Sequence, residues 1–187
     1  MKSTPSLNAP ASQASATSRL GQPTPPRQRE AERSPGSSGA GKCILLADDD
    51  SAVRDSLTDV FVAEGYLVIP AENGAQALSL AAGNKVDLVL LDLNMPVKNG
   101  WDTFEQLTAE NPLLPVVIVT ARPNQLFTAL GAGVGALLEK PMDIPKLLRT
   151  VAALLAEPAE SHLARMTGQR TDFHYLPSCK EHYGDNR

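Results

Sequence analysis

Apolar residues in the middle of this 187-residue chain fall into short unbroken runs, separated by stretches in which they recur every three or four positions. Cys43-Ile44-Leu45-Leu46-Ala47 is the first run and reads as a strand. Ser51 follows as a helix N-cap, with Val53, Leu57, Val60 and Phe61 at helical spacing up to the stop at Gly65. Tyr66-Leu67-Val68-Ile69 is a second strand, and Asn73 caps a helix carrying Ala77, Leu78 and Ala81. Residues 86–91 are a nearly continuous apolar run that delivers Asp92 to its C-terminal end, where Met95-Pro96 and Asn99-Gly100 stop it. A third helix from Asn99-Gly100 carries Trp101, Phe104 and Leu107 and ends before Asn111-Pro112. Pro115–Val119 is a fourth strand ending at Thr120, and Pro123 opens a helix with Leu126, Phe127 and Leu130. Ala136-Leu137-Leu138 is a fifth strand, after which Asp143 caps a helix with Leu147, Leu148, Val151, Leu154 and Leu155.

Strand and helix thus alternate five times in about 115 residues. Strands with no polar alternation are covered on both faces, so the pattern predicts a parallel sheet between two helical layers. Ligands of such folds sit beyond the C-terminal strand ends. The flanks differ. Residues 1–41 are rich in Pro, Ser, Gly and Gln, carry a net charge of +3 and are expected to be a disordered arm. Residues 42–157 form the expected domain, at −7. Residues 158–187 are polar, neutral overall and expected to be a mostly disordered tail.

Composition narrows the function. A net charge of −4 opposes binding to nucleic acid through bulk charge. No run approaches a membrane span of roughly 18 residues, and the N-terminus lacks a secretory apolar core. With two cysteines and no disulfide framework, a reducing, cytoplasmic setting is expected. Gly36–Lys42 matches much of a phosphate-binding loop, but a linker precedes it, a strand follows, and Cys43 stands where Ser or Thr is needed. Cys179 and His182 have metal-like spacing without a second pair. Arg27, Arg29 and Arg33 read as a solvated linker.

The strand ends carry the chemistry. The first gives Asp48 and Asp49, the third Asp92, the fourth Thr120, and Lys140 follows the fifth. In one parallel sheet these groups meet at one edge. Three clustered carboxylates repel and raise each other's pKa, which a hard divalent cation such as magnesium relieves. Lys140 supplies a further positive charge. Asp50 reads as a helix cap or turn.

This set resembles the receiver domain of two-component response regulators, of the stand-alone type similar to chemotaxis response regulators. The resemblance covers residues 43–156 through Leu-Ala-Asp-Asp-Asp, Leu-Asp-Leu-Asn-Met-Pro-Val-Lys-Asn-Gly, Ile-Val-Thr-Ala-Arg and Glu-Lys-Pro. It implies a flavodoxin-like, doubly wound five-stranded sheet of order 2-1-3-4-5. It also implies that Asp92 is the phosphoacceptor and Asp48 and Asp49 the acidic pair. Asp48, Asp49, Asp92 and the Asn94 backbone carbonyl would form the magnesium site, while Thr120 and Lys140 would hold the phosphoryl group. The implied donor is a histidine kinase or a histidine phosphotransfer protein. Output would pass through a downstream protein target, with phosphorylation-dependent homodimerisation left open. Such a chain is no enzyme beyond its own phosphorylation and slow dephosphorylation. Leu137 stands where many relatives carry Tyr or Phe, which weakens the expected conformational readout. Two other readings use the same residues. A small magnesium phosphatase or NTPase of the haloacid-dehalogenase type wants an Asp where Asn94 stands, and a receiver that takes no phosphate would serve as a scaffold.

Overall fold

A computed structural model of the chain describes residues 41–122, 124–169 and 173–178. The expected N-terminal arm with its phosphate-loop-like stretch up to Ala40, the helix opener Pro123, and Cys179 and His182 lie outside the described residues.

The first five strands are β1 (Cys43–Ala47), β2 (Leu67–Ala71), β3 (Leu88–Asp92), β4 (Val116–Thr120) and β5 (Ala136–Glu139). Between and after them run α1 (Ser51–Ala63), α2 (Gly74–Gly83), α3 (Gly100–Glu110), α4 (Leu126–Gly131) and α5 (Ile144–Leu155). The strands pair in parallel in the order β2-β1-β3-β4-β5, as expected, and a sixth strand extends the sheet beyond β5. β1, β3 and β4 are buried along their whole length, which explains their unbroken apolar runs. Only edge strand β2 tolerates a proline, Pro70.

Alternate strand residues feed two cores. Leu45, Val89, Leu91, Ile118 and Leu137 face α2, α3 and α4 through Ala77, Phe104, Leu107 and Ala129. Ile44, Leu46, Leu88, Leu90, Val117 and Leu138 face α1 and α5 through Leu57, Phe61, Leu147, Val151 and Leu154. Truncating one of these fully buried leucines to alanine costs about 2–5 kcal/mol.

The helix caps follow the sequence signals with two exceptions. Asn73 accepts from Gln76 N, Asp143 from Lys146 N, and Gly65 ends the α1 turn at φ +87°. Asp50 caps α1 in place of Ser51, its carboxylate accepting from Ala52 N at 2.9 Å and Val53 N at 3.3 Å. The fourth helix begins at Leu126 and not at residue 123, because Asn124 sits in the left-handed region at φ 61°.

The expectation of a disordered tail after Pro158 fails for its described part. Residues Ala159–Met166 form α6, and His174–Leu176 form β6, parallel to β5. The buried face of α6 is polar, so no apolar periodicity announced it. His162 and Arg165 are both buried. His162 Nε2 lies 3.0 Å from Pro112 O in the α3–β4 loop. Arg165 donates to Glu157 Oε1, just past α5, at 2.6 Å, and to His162 Nδ1 at 3.1 Å. An Nδ1 that accepts fixes the neutral tautomer with its proton on Nε2. Met166 also packs on Gly133. α6 therefore crosses the N-terminal edge of the sheet and returns the chain for a further parallel strand.

Burial holds His162 below its ordinary pKa, and the Arg165 charge adds to this, outweighing the opposing pull of Pro112 and Glu157. Between the folded and unfolded pKa values the unfolded chain binds more protons, so the anchor is at full strength above about pH 6.5 and weakens as pH falls through it. Hydrogen-exchange protection of α6, corrected for the intrinsic pH dependence of amide exchange, is expected to fall between pH 7.5 and 5.5. His162→Gln, which keeps a donor for Pro112 but cannot charge, should flatten that dependence.

Candidate functional site

The C-terminal ends of β1, β3, β4 and β5 gather the polar residues singled out in the sequence. Asp48, Asp92 and Thr120 are buried there, and Asp49 is exposed beside them. One carboxylate oxygen from each of Asp48, Asp49 and Asp92 lies within 4.8 Å of the other two. Lys140 Nζ spans the pair of buried carboxylates, 2.7 Å from Asp48 Oδ2 and 2.9 Å from Asp92 Oδ2.

Each carboxylate is also held by the turn that follows its strand. Asp48 Oδ1 accepts from Asp50 N at 3.0 Å, and Asp92 Oδ1 from Asn94 N at 3.1 Å. Thr120 Oγ1 accepts from Arg122 N at 2.9 Å, and the Lys140 N–H donates to Thr120 O at 2.8 Å. The loops thus fix side-chain direction through their own amides. After Asp92, Lys98 N donates to Pro96 O at 2.7 Å around Val97, whose φ of 68° is a strained γ-turn for a β-branched residue. At Gly100, the first residue of α3, a Cβ would lie 2.4 Å from Asp92 O and 2.6 Å from Leu93 Cα. The helix therefore rests directly on the main chain of Asp92.

Electrostatics at this edge are unbalanced. Burial raises the pKa of Asp48, and the Lys140 hydrogen bond and charge only partly offset it. Burial alone would lower Lys140, but its bonds to Asp48 and Asp92 prevail and hold it above its ordinary value, so it stays cationic. Three carboxyl groups then face one ammonium, and the cluster offers oxygen donors alone. That donor set fits a hard divalent cation and suits neither a soft metal nor an anion in its present charge state.

The response regulator receiver domain family matches residues 44–152. The chain belongs to that family. Receiver domains are the phosphorelay modules of two-component signalling, acting with histidine kinases or phosphotransfer proteins, and they bind magnesium through an acidic pocket. They are signalling modules, typically non-enzymatic. Among similar proteins, response regulator MprA of Mycobacterium sp. is 40% identical over 114 residues, covering 60% of this chain and 50% of its own. Protein PilH of Pseudomonas aeruginosa is 39% identical over 117 residues, covering 60% of this chain and 97% of its own. The chain thus spans half the length of the first relative and nearly all of the second. The crystal structure of a CheY-like receiver domain protein from Methanospirillum hungatei superposes with a TM-score of 0.60 at 29% identity, over 65% of this chain and 98% of that one. Response regulator TrrA of Thermotoga maritima, solved in complex with Mg(2+)-BeF, gives 0.57 at 26% identity over 60% and 98%. The receiver fold of this chain is thus flavodoxin-like, with one strand more than the expected five.

The receiver site brings together Asp48, Asp49, Asp92, Thr120 and Lys140. Asn94 is exposed, its amide bound to Asp92 and its side-chain Oδ1 accepting from Arg122 Nε. Leu137 is fully buried in the core beneath α4. Two residues escaped the sequence reading. Arg122, visible only as the end of a motif, reaches across the rim to Asn94. Arg54 Nη1 donates to Asp48 O at 2.8 Å from the first turn of α1, a side chain-to-backbone contact with no sequence signature.

Removing the shared ammonium leaves two buried carboxylates facing each other. Lys140→Ala should lower stability by about 3 kcal/mol. In the Asp92→Asn background the same change should cost much less, a coupling that a double-mutant cycle in urea reads directly.

Proposed function

We propose that Asp92 accepts a phosphoryl group from a phosphohistidine on a histidine kinase or phosphotransfer protein. The observation that carries this reading is the Asp48–Lys140–Asp92 bridge at the sheet edge, with Asp49 beside it and Thr120 on the neighbouring strand. A carboxylate oxygen of Asp92 attacks phosphorus, an O–P bond forms, and the N–P bond of the donor breaks. The imidazole leaves with the electron pair and takes up a proton. Lys140, already cationic, turns from the Asp92 carboxylate to a phosphoryl oxygen and stabilises its charge. The Thr120 oxygen is engaged by Arg122 N–H, so its own proton is directed to a second phosphoryl oxygen. Asp48, Asp49, Asp92 and the Asn94 carbonyl would hold magnesium. Bound there, the ion supplies Lewis-acid neutralisation of the transferring group.

The chain's own chemistry then stops at phosphorylation of Asp92 and its slow hydrolysis. Output passes by binding a downstream protein, without direct contact to nucleic acid. That role places the chain in the cytoplasm beside its donors, and among the described residues no helix is long and apolar enough to cross a membrane.

Purified protein given a radiolabelled small phosphodonor such as acetyl phosphate with magnesium should take up label that hydroxylamine releases. Asp92→Asn should abolish the uptake, and chelation of magnesium should suppress it. Label persisting in the variant overturns the assignment, and steady turnover of nucleotide favours the phosphatase reading instead.

A further inference from the structure

β6 takes no part in the chemistry above, yet it ends beside it. It runs parallel to β5, so its C-terminal end reaches the sheet edge that holds Asp92 and Lys140. Its backbone pairing with the sheet is short. Among the described residues only His174, Tyr175 and Leu176 pair, against Ala136, Leu137 and Leu138, and two of those three β6 residues are exposed. A three-residue edge strand of this kind opens readily.

Phe173 and Leu176 pack on the two cores, and the segment's polar side-chain anchor is Glu139, the last residue of β5. Tyr175 Oη donates to Glu139 Oε1 at 2.8 Å, and Ser178 N donates to Oε2 at 3.3 Å. Both oxygens of that carboxylate are therefore engaged by the 173–178 segment. The next residue is Lys140. Its main chain is tied to Thr120 O, and its ammonium spans Asp48 and Asp92. One peptide bond separates the anchor of the strap from the group that must re-aim when phosphorus arrives.

The seated strap accompanies Lys140 on the two carboxylates. A phosphoryl group on Asp92 would draw the ammonium away from them, and any accompanying shift of the close-packed end of β5 would disturb the strap seated on it. We propose that the 173–178 segment is a displaceable strap whose attachment to Glu139 opposes phosphoryl capture at Asp92, an inference that rests on the phosphoacceptor reading above. Two states follow, one with the strap seated and Lys140 on the carboxylates, the other with the strap released and Lys140 on the phosphoryl group. Linkage makes the effect reciprocal, so loosening the strap tightens binding of a phosphoryl mimic by the same factor that the mimic loosens the strap.

The test uses the full chain with trifluoroberyllate and magnesium as the mimic. Trp101 is the sole tryptophan, and it donates to Gln125 beside α4, so its fluorescence can follow binding. Hydrogen exchange of 173–178 in the wild-type chain should rise about 5-fold or more on binding. The double variant Tyr175→Phe with Ser178→Pro, which removes both donors to Glu139, should bind the mimic tighter by a similar factor. Glu139→Gln checks the same contact from β5 and should shift affinity the same way. Saturating uptake with unchanged exchange at 173–178, or equal affinities in wild type and variants, overturns the strap while leaving the acceptor assignment standing. Failure of Asp92 to take label or mimic removes both.

Discussion

Lys140 reaches from the end of β5 to Asp48 and Asp92, at 2.7 and 2.9 Å, past the intervening end of β4. Both carboxylates are buried, and that ammonium offsets part of the cost of taking them out of water. Everything else at this edge serves the contact. Parallel strands bring the four ends to one side, and the turn amides of Asp50 and Asn94 aim the carboxylates. The Thr120–Lys140 backbone bond fixes the level from which the ammonium starts.

The bridge is adequate for folding and incomplete for charge. One cation among three carboxyl groups leaves the edge rich in oxygen donors, a set that suits a hard metal ion. In the proposed transfer, the same groups that hold the resting structure together would have to rearrange. A site built in this way cannot be maximally stable and maximally reactive at once.

Much of this was legible in the sequence because burial leaves a periodic mark. Strands covered on both faces print as unbroken apolar runs, and the Asp or Thr that ends such a run stands out against them, as Asp92 and Thr120 do. Caps such as Asn73 and Asp143 are short-range and equally readable. What stayed hidden follows from chemistry with no such mark. α6 buries His162 and Arg165 and so carries no apolar stripe to mark it. β6 is too short to show an alternation, and Arg54 acts on a backbone carbonyl that no residue type advertises. The start of α4 was misplaced because a left-handed Asn124 interrupts a segment whose composition alone permits a helix.

Gly100 has no side chain, no charge and no part in the chemistry, yet its Cα lies against the main chain of Asp92 with no room for a methyl group. Adding a single carbon there would push the whole α3 layer off the acid's backbone and tilt the strand terminus that presents it. A survey of tolerated substitutions across this domain would therefore find a second silent spot, as strict as the acid itself, at a position where the only thing contributed is the space left empty.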